Sequence, residues 1–212
     1  MGDWAEKRAR MVERQLRRRG IEDERVLAAM GEVPREEFVP VDLRRSAYAD
    51  SALPIGGGQT ISQPWVVAAI CQALALRGSE RVLEVGTGSG YSAAVLARLA
   101  AEVIGIERHE PLARSAAAAL ARVGTDNVRV LLGDGSRGCP GEAPFEAIAV
   151  HASAPAAPPA LIGELADGGR LVVPIAGSET DDLTLLRRDG ERVEVTPLAP
   201  CRFVPLIGEQ GF

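Results

Sequence analysis

A chain of 212 residues, 46% hydrophobic and 25% charged, suits one α/β domain with an attached element and is cramped for two. The net charge of -5 is uneven: residues 1–20 hold seven Lys or Arg against three acids, so that tip carries +4 and the remainder -9. An acidic body disfavours a phosphate-tracking surface. Cys71, Cys139 and Cys201 are odd in number and far apart, which supports neither a disulfide framework nor a thiolate zinc site. No apolar run approaches the ~20 residues of a spanning helix. The expectation is a cytoplasmic chain with no nucleic-acid partner, no membrane and no metal.

Along the chain, Trp4, Met11, Val12 and Leu16 stand among long charged side chains and predict an amphipathic helix over 3–19, ending at Gly20. Its apolar face is thin, so it reads as a cap packed on the core and not as a membrane-surface helix. A short helix over 23–30 follows, then extended chain over 33–40. SALPIGGGQTISQP (51–64) has too few apolar residues in register for a strand or a helix, and predicts an ordered functional loop anchored by Leu53, Ile55 and Ile61. A helix over 65–76 comes next. After Gly78 strands and helices alternate: strands over 81–85, 103–106, 128–131, 147–150 and 170–174, helices over 91–99, 111–121 and 159–165. That is the pattern of a doubly wound, mostly parallel sheet. The Asp189-Gly190 signal between 182–187 and 192–195 adds an antiparallel hairpin at its edge.

Chemistry concentrates in VLEVGTGSGY (82–91). Gly86, Gly88 and Gly90 let the chain turn sharply and approach a ligand without an intervening Cβ. The spacing is G-x-G-x-G, not the G-x-G-x-x-G of a dinucleotide site, which weakens a nicotinamide reading. Glu107 ends the second strand 19 residues past Gly88, close to the ~20 at which an acid meets a ribose hydroxyl. Loop and acid together point to an adenosyl ligand. Glu84 and Asp134 lie at or near other strand ends that open onto the same crevice, although Asp134 is equally a turn former. His151 reads as a strand-end imidazole, not a base. Spacing alone makes Ser62 the cap of the helix beginning at Trp65, with Pro64 in its first turn.

Nearly end to end, the chain resembles the bacterial protein-L-isoaspartate O-methyltransferases. The resemblance is carried by VPREEFVP (33–40), AYADSALPIGGGQTISQP (47–64), VLEVGTGSGY (82–91), GDG (133–135), APFEAI (143–148), GGRLVVPIAG (168–177) and RFVPLIG (202–208). The glycine segment marks the wider class of S-adenosylmethionine-dependent methyltransferases, while GQTISQP and RFVPL are specific to this family. Trp65, where Tyr is common, and HASAP (151–155), in place of a more Ala-rich stretch, depart from the pattern.

The resemblance implies a Rossmann-like methyltransferase fold in a single domain, with residues 1–63 as cap and loop and 64–212 as cofactor-binding core and hairpin. It implies methyl transfer from S-adenosyl-L-methionine, leaving S-adenosyl-L-homocysteine, to the free carboxylate of L-isoaspartyl residues in damaged peptides and proteins. Ser62 and Thr60 fall at the catalytic positions, with Ile61 and Val204 at substrate positions. Ile55, Gly56, Gly57, Gly58, Glu84, Gly86, Thr87, Gly88, Glu107, Asp134 and Gly135 fall at cofactor positions. A monomer is expected. The alternatives are a carboxyl methyltransferase of the same family with a dedicated peptide substrate, and a non-catalytic cofactor-binding interaction protein.

Overall fold

The computed structural model describes residues 4–212, so Asp3, the expected first residue of the leading helix, lies outside it. Helix α1 (Trp4–Met11) runs on through a π-helical turn (Val12–Leu16) and a 3-10 turn (Arg17–Arg19) to a left-handed Gly20. This departs from the regular helix expected over 3–19. A π turn, with its i to i+5 bonds, brings residues five apart onto one face, and Met11 and Leu16 are both buried. The basic segment is a cap packed on the core, its arginines paired outside with Glu13, Glu24 and Asp50. Helix α2 (Glu24–Glu32) starts where the Asp23 carboxylate accepts the N–H groups of Arg25 and Val26.

Residues 33–40, expected to be extended, form a 3-10 turn over Arg35–Phe38, and a second covers Val41–Ser46. Distant contacts impose the first: Phe38 meets the Tyr91 ring edge-on at 5.8 Å, and Arg35 is fully buried. The loop expected over 51–64 contains a β-hairpin, β1 (Leu53–Gly56) and β2 (Gln59–Ile61). Pro54 and the glycines dilute the alternation that would mark its strands. Gly57 and Gly58 turn the chain at φ 59° and 71°, where side chains are disfavoured. Leu53 pairs with Ile61, and both are buried. Helix α3 (Pro64–Leu74) follows and stops short of residue 76, because Ala75 adopts a left-handed φ of 46°.

The remaining elements are β3 (Arg81–Val85), α4 (Tyr91–Ala97), β4 (Glu102–Glu107), α5 (Glu110–Arg122), β5 (Val128–Leu132), β6 (Phe145–Val150), α6 (Pro159–Gly163), β7 (Leu165–Ile175), β8 (Asp181–Asp189) and β9 (Arg192–Cys201). They build a seven-stranded sheet in the order β5-β4-β3-β6-β7-β8-β9, parallel through β7 and antiparallel at the β8–β9 edge. The doubly wound sheet with its antiparallel hairpin is therefore present as expected. Alternation along each strand divides the core: Val82, Val103, Ala147 and Ala149 pack on the face carrying α3 and α4, while Leu83, Val85, Ile104, Ile148 and Val150 pack on the other. Strand order reverses between β3 and β6, which makes their carboxyl ends the place where such sheets open a crevice.

Candidate active site

The ends of β3 and β6 touch. His151 N donates to Val85 O at 2.8 Å, and a Cβ on Gly86 would stand 3.6 Å from the His151 carbonyl carbon. From this junction an inner cavity opens, lined by Gly86, Thr87 and Gly88 of the glycine turn, Glu107, Gly135, Thr60 to Ser62 after the hairpin turn, and Val204 to Leu206 of the C-terminal segment.

Period-two alternation sets the floor of the cavity. Glu84 pairs with Gly105 across β3 and β4, so Glu84, Gly105 and Glu107 share a face. A Cβ on Gly105 would lie 2.4 Å from Thr87 Oγ1, so the bare glycine makes room for that side chain. Glu107 accepts the Gly88 N–H at 2.9 Å and the His109 N–H at 2.8 Å, which fixes the glycine turn and leaves each carboxylate oxygen a second lone pair. Gly90, at φ 88°, begins α4 where any Cβ would press to 3.2 Å from Ala116 Cβ.

Glu84 is completely buried. Its Oε1 accepts the Ser92 hydroxyl, whereas its Oε2 has no hydrogen-bond partner of full geometry among the described residues, the Thr87 hydroxyl being near enough only to steady the charged form. Burial pushes the Glu84 carboxyl up to about 7; the Ser92 and Thr87 hydroxyls oppose the rise and the Glu107 charge adds to it. His151 Nε2 lies 3.5 Å from Glu84 Oε1, and burial pushes the imidazole down to about 4, so the ring is neutral near pH 7.

Most residues expected at the site converge on it: Thr60, Ile61, Ser62, Gly86, Thr87, Gly88, Glu107, Gly135 and Val204 all line the cavity. Glu84 lies beneath them. Ile55 to Gly58 do not line it; of the four, Ile55 reaches the glycine turn, with its Cδ1 3.3 Å from where a Gly88 Cβ would be. Asp134 is not among the lining residues either. Its carboxylate accepts from Ser136 N, Ser136 Oγ and Glu209 N at 2.7–3.0 Å, so it builds the turn that presents Gly135. Ser62 does not cap α3: Gln63 holds the N-cap position without a side-chain bond. Among the described residues no hydrogen bond engages the Ser62 hydroxyl.

Arg35 was not legible as a site residue. Its guanidinium donates from Nε to Ala47 O and from Nη2 to Ser62 O, both at 2.8 Å, and stacks 4.7 Å from the centroid of the Tyr91 ring. One cation thus ties together the two ends of the segment carrying the hairpin. The only hint in sequence is an arginine enclosed by Val33, Pro34, Phe38 and Val39. Ser92, the partner of Glu84, was missed because it falls one turn inside a helix of otherwise ordinary composition.

A glycine turn after the first strand of a doubly wound sheet, a buried acid ending the second strand and a crevice at the switch point define a Rossmann-like, S-adenosylmethionine-dependent methyltransferase. The family model described as Protein-L-isoaspartate(D-aspartate) O-methyltransferase (PCMT) matches residues 6–211, and the chain belongs to that family. It is 52% identical to a protein-L-isoaspartate O-methyltransferase of Koribacter versatilis over 97% of this chain and 92% of the relative. It is 53% identical to one of Methanoculleus marisnigri over 97% and 93%. Among solved structures, one named protein-L-isoaspartate O-methyltransferase superposes with TM-score 0.84 at 28% identity, covering 98% of this chain and 67% of the other. Another, named for the Plasmodium falciparum enzyme in complex with S-adenosyl-L-homocysteine, gives 0.82 at 27% identity over 94% and 98%.

Two expectations follow from the geometry. Because Glu84 titrates near 7 when folded and near 4.5 otherwise, its stabilising contribution is complete below about pH 4.5 and is lost as pH rises through about 7. Glu84→Gln removes this ionisation. Unfolding curves of the ligand-free chains at about pH 5 and about pH 8 should therefore show the variant gaining on the parent by on the order of 3 kcal/mol. Parallel pH dependence would mean that Glu84 ionises freely. Arg35→Met leaves two carbonyls without their donor and should cost roughly 2–4 kcal/mol. Hydrogen exchange should then accelerate at residues 53–61 more than in β3 and β4; uniform acceleration would deny Arg35 its local role.

Proposed function

We propose that this chain transfers a methyl group from S-adenosylmethionine to the free carboxylate of L-isoaspartyl residues in peptides and proteins, the first step in repairing damaged chains. The observation carrying this reading is that Thr60, Ser62 and Val204 line both the inner cavity and an outer one beyond it, so they stand in the passage between a cofactor and a peptide.

The residues present suit the cofactor. Two buried carboxylates, one with an oxygen that has no partner among the described residues, call for a ligand that brings positive charge and hydroxyl groups. Glu107 would hold the ribose hydroxyls, Gly86, Thr87 and Gly88 the backbone-contacting portion, and Gly135 the far wall. Glu84 would meet positive charge from below, and Ile55 to Gly58 would cover the whole. When bound, S-adenosylmethionine supplies an electrophilic methyl group on a sulfonium sulfur.

The chain's own task is alignment and drying. A carboxylate with a reference pKa near ~4 is ionised at neutral pH, so no side chain has to remove a proton. That agrees with a site whose buried histidine is neutral and weakly basic. Transfer to a carboxylate annihilates opposite charges, so excluding water and fixing the approach are the useful contributions. Ser62 and Thr60 offer neutral hydroxyl donors that orient the carboxylate. The Val204 carbonyl is already taken by Ser153 N at 2.8 Å, while its N–H has no partner among the described residues and can receive a peptide carbonyl. Ile61 supplies a buried apolar wall.

The finer assignments belong to the same reading: one domain, acting as a cytoplasmic monomer on peptides, away from nucleic acid and membranes. No described helix is long and apolar enough to cross a membrane. Light scattering of the purified chain tests the monomer.

Methyl transfer to matched peptides containing L-isoaspartate, L-aspartate or D-aspartate tests the reaction. The isoaspartyl peptide should be strongly preferred, and equal rates on the three would remove the repair role. Ser62→Ala should lower turnover about tenfold or more, the worth of one hydrogen bond to a charged group, with unchanged calorimetric affinity for S-adenosylhomocysteine. A matching loss of that affinity would place Ser62 in the cofactor pocket instead.

A further inference from the structure

Four residues line both cavities, and His151 is the fourth beside Thr60, Ser62 and Val204. The outer cavity continues past it along Trp65, Arg202 and Phe203 toward solvent. His151 is held where β6 ends, at the switch point, by the bond from its backbone N–H to Val85 O. Its side chain is only 5% exposed, and among the described residues neither Nδ1 nor Nε2 has a hydrogen-bond partner. The carboxylate facing it is Glu84, at 3.5 Å from β3; the Phe203 ring faces it from the C-terminal segment with centroids 6.4 Å apart.

A buried imidazole with both nitrogens unsatisfied is costly to keep, and an apolar side chain of similar volume would fill the same wall without that cost. The passage it borders is the one that the isoaspartyl group must enter to reach the inner cavity. A neutral imidazole offers one N–H donor and one acceptor. Glu84 faces Nε2 at 3.5 Å from the inner side, so Nδ1 is the nitrogen left for a group in the passage; Nδ1 carries the ring's one N–H when Nε2 accepts from the Glu84 carboxyl in its protonated form, which burial favours.

We propose that His151 is a substrate-contacting residue, donating a ring N–H hydrogen bond to the isoaspartyl carboxylate beside the hydroxyls of Ser62 and Thr60. This rests on the isoaspartyl reading above and adds a third donor to the isoaspartyl carboxylate. With three donors from two elements, β6 and the strand leaving the hairpin, the carboxylate is held from two sides and not merely touched by one loop. The role is specific to binding and alignment: His151 takes no proton from the substrate, which arrives ionised.

The test uses the intact chain saturated with S-adenosylhomocysteine, so that peptide binds without turnover. The chain has two histidines, His109 and His151, so ring nitrogen resonances are assigned with a single variant. Titration with an isoaspartyl peptide should move the His151 ring resonances and leave those of His109 in place. Saturation with the peptide without movement of His151 overturns the proposal. In steady state, His151→Leu, which preserves apolar volume, should raise KM for the isoaspartyl peptide about tenfold, the value of one hydrogen bond to a charged group, with unchanged affinity for S-adenosylhomocysteine. His151→Gln, which restores an N–H donor, should recover most of the loss and serves as the second variant if the first folds poorly. Unchanged KM in His151→Leu, or an equal fall in affinity for S-adenosylhomocysteine, refutes the contact. A parent chain inactive on isoaspartyl peptides would instead sink the underlying reading, a result seen before any variant is made.

Discussion

Glu84 and Glu107 leave one face of two adjacent parallel strands because side chains alternate with period two, and both are buried there. Placing two carboxylates under a sheet's crevice is costly unless hydrogen bonds or an incoming cation compensate. Glu107 is compensated by two backbone amides, and in accepting them it shapes the glycine turn. Glu84 is compensated only in part, by the Ser92 and Thr87 hydroxyls, and its raised pKa records the remainder. Much of the surrounding architecture answers this constraint. Gly105 vacates space for Thr87, α4 brings Ser92 into reach, and β6 delivers His151 beside the same carboxylate.

Over this floor the hairpin acts as a cover whose position depends on a different charge. Arg35 has no carboxylate partner among the described residues; it satisfies two backbone carbonyls, one entering and one leaving the segment that carries the hairpin. Holding both ends with one rigid, planar group fixes the Ser62 backbone while leaving its hydroxyl uncommitted. The same segment brings Ile55 onto the glycine turn. Cover and floor therefore close on each other through apolar contact, and such contact is what excludes water from a reaction between opposite charges.

The C-terminal segment supplies the third wall through main-chain bonds. Ser153 N donates to Val204 O and Leu206 N to Ser153 O, so the chain after β6 and the chain after β9 run side by side. Asp181 reinforces this by accepting from Ser153 Oγ and Phe203 N. The passage between the two cavities is thus bounded by the cap region, the central sheet and the terminal segment. The described residues of all three are needed to form it.

Regular elements were legible because their signals are local. The β-branched strands, the glycine spacing of VLEVGTGSGY, the acid at Glu107 and the Asp189-Gly190 turn each act within a few residues of themselves, and each stands where sequence placed it. The resemblance through GQTISQP and RFVPLIG likewise named Thr60, Ser62 and Val204, which the fold brings to one passage. What sequence could not settle was set by partners far along the chain. The hairpin at 53–61 is a strand pair that Pro54 and its glycines disguise. The turn at Arg35 exists because Ala47, Ser62 and Tyr91 receive its guanidinium. The Asp134 carboxylate closes its turn by accepting from Ser136 and from Glu209, which lies 75 residues along the chain. Composition, periodicity and turn chemistry determined the sheet and the cofactor turn by themselves; burial of polar groups, which is satisfied only across distances of tens of residues, decided where the cover lies and which side chains meet beneath it.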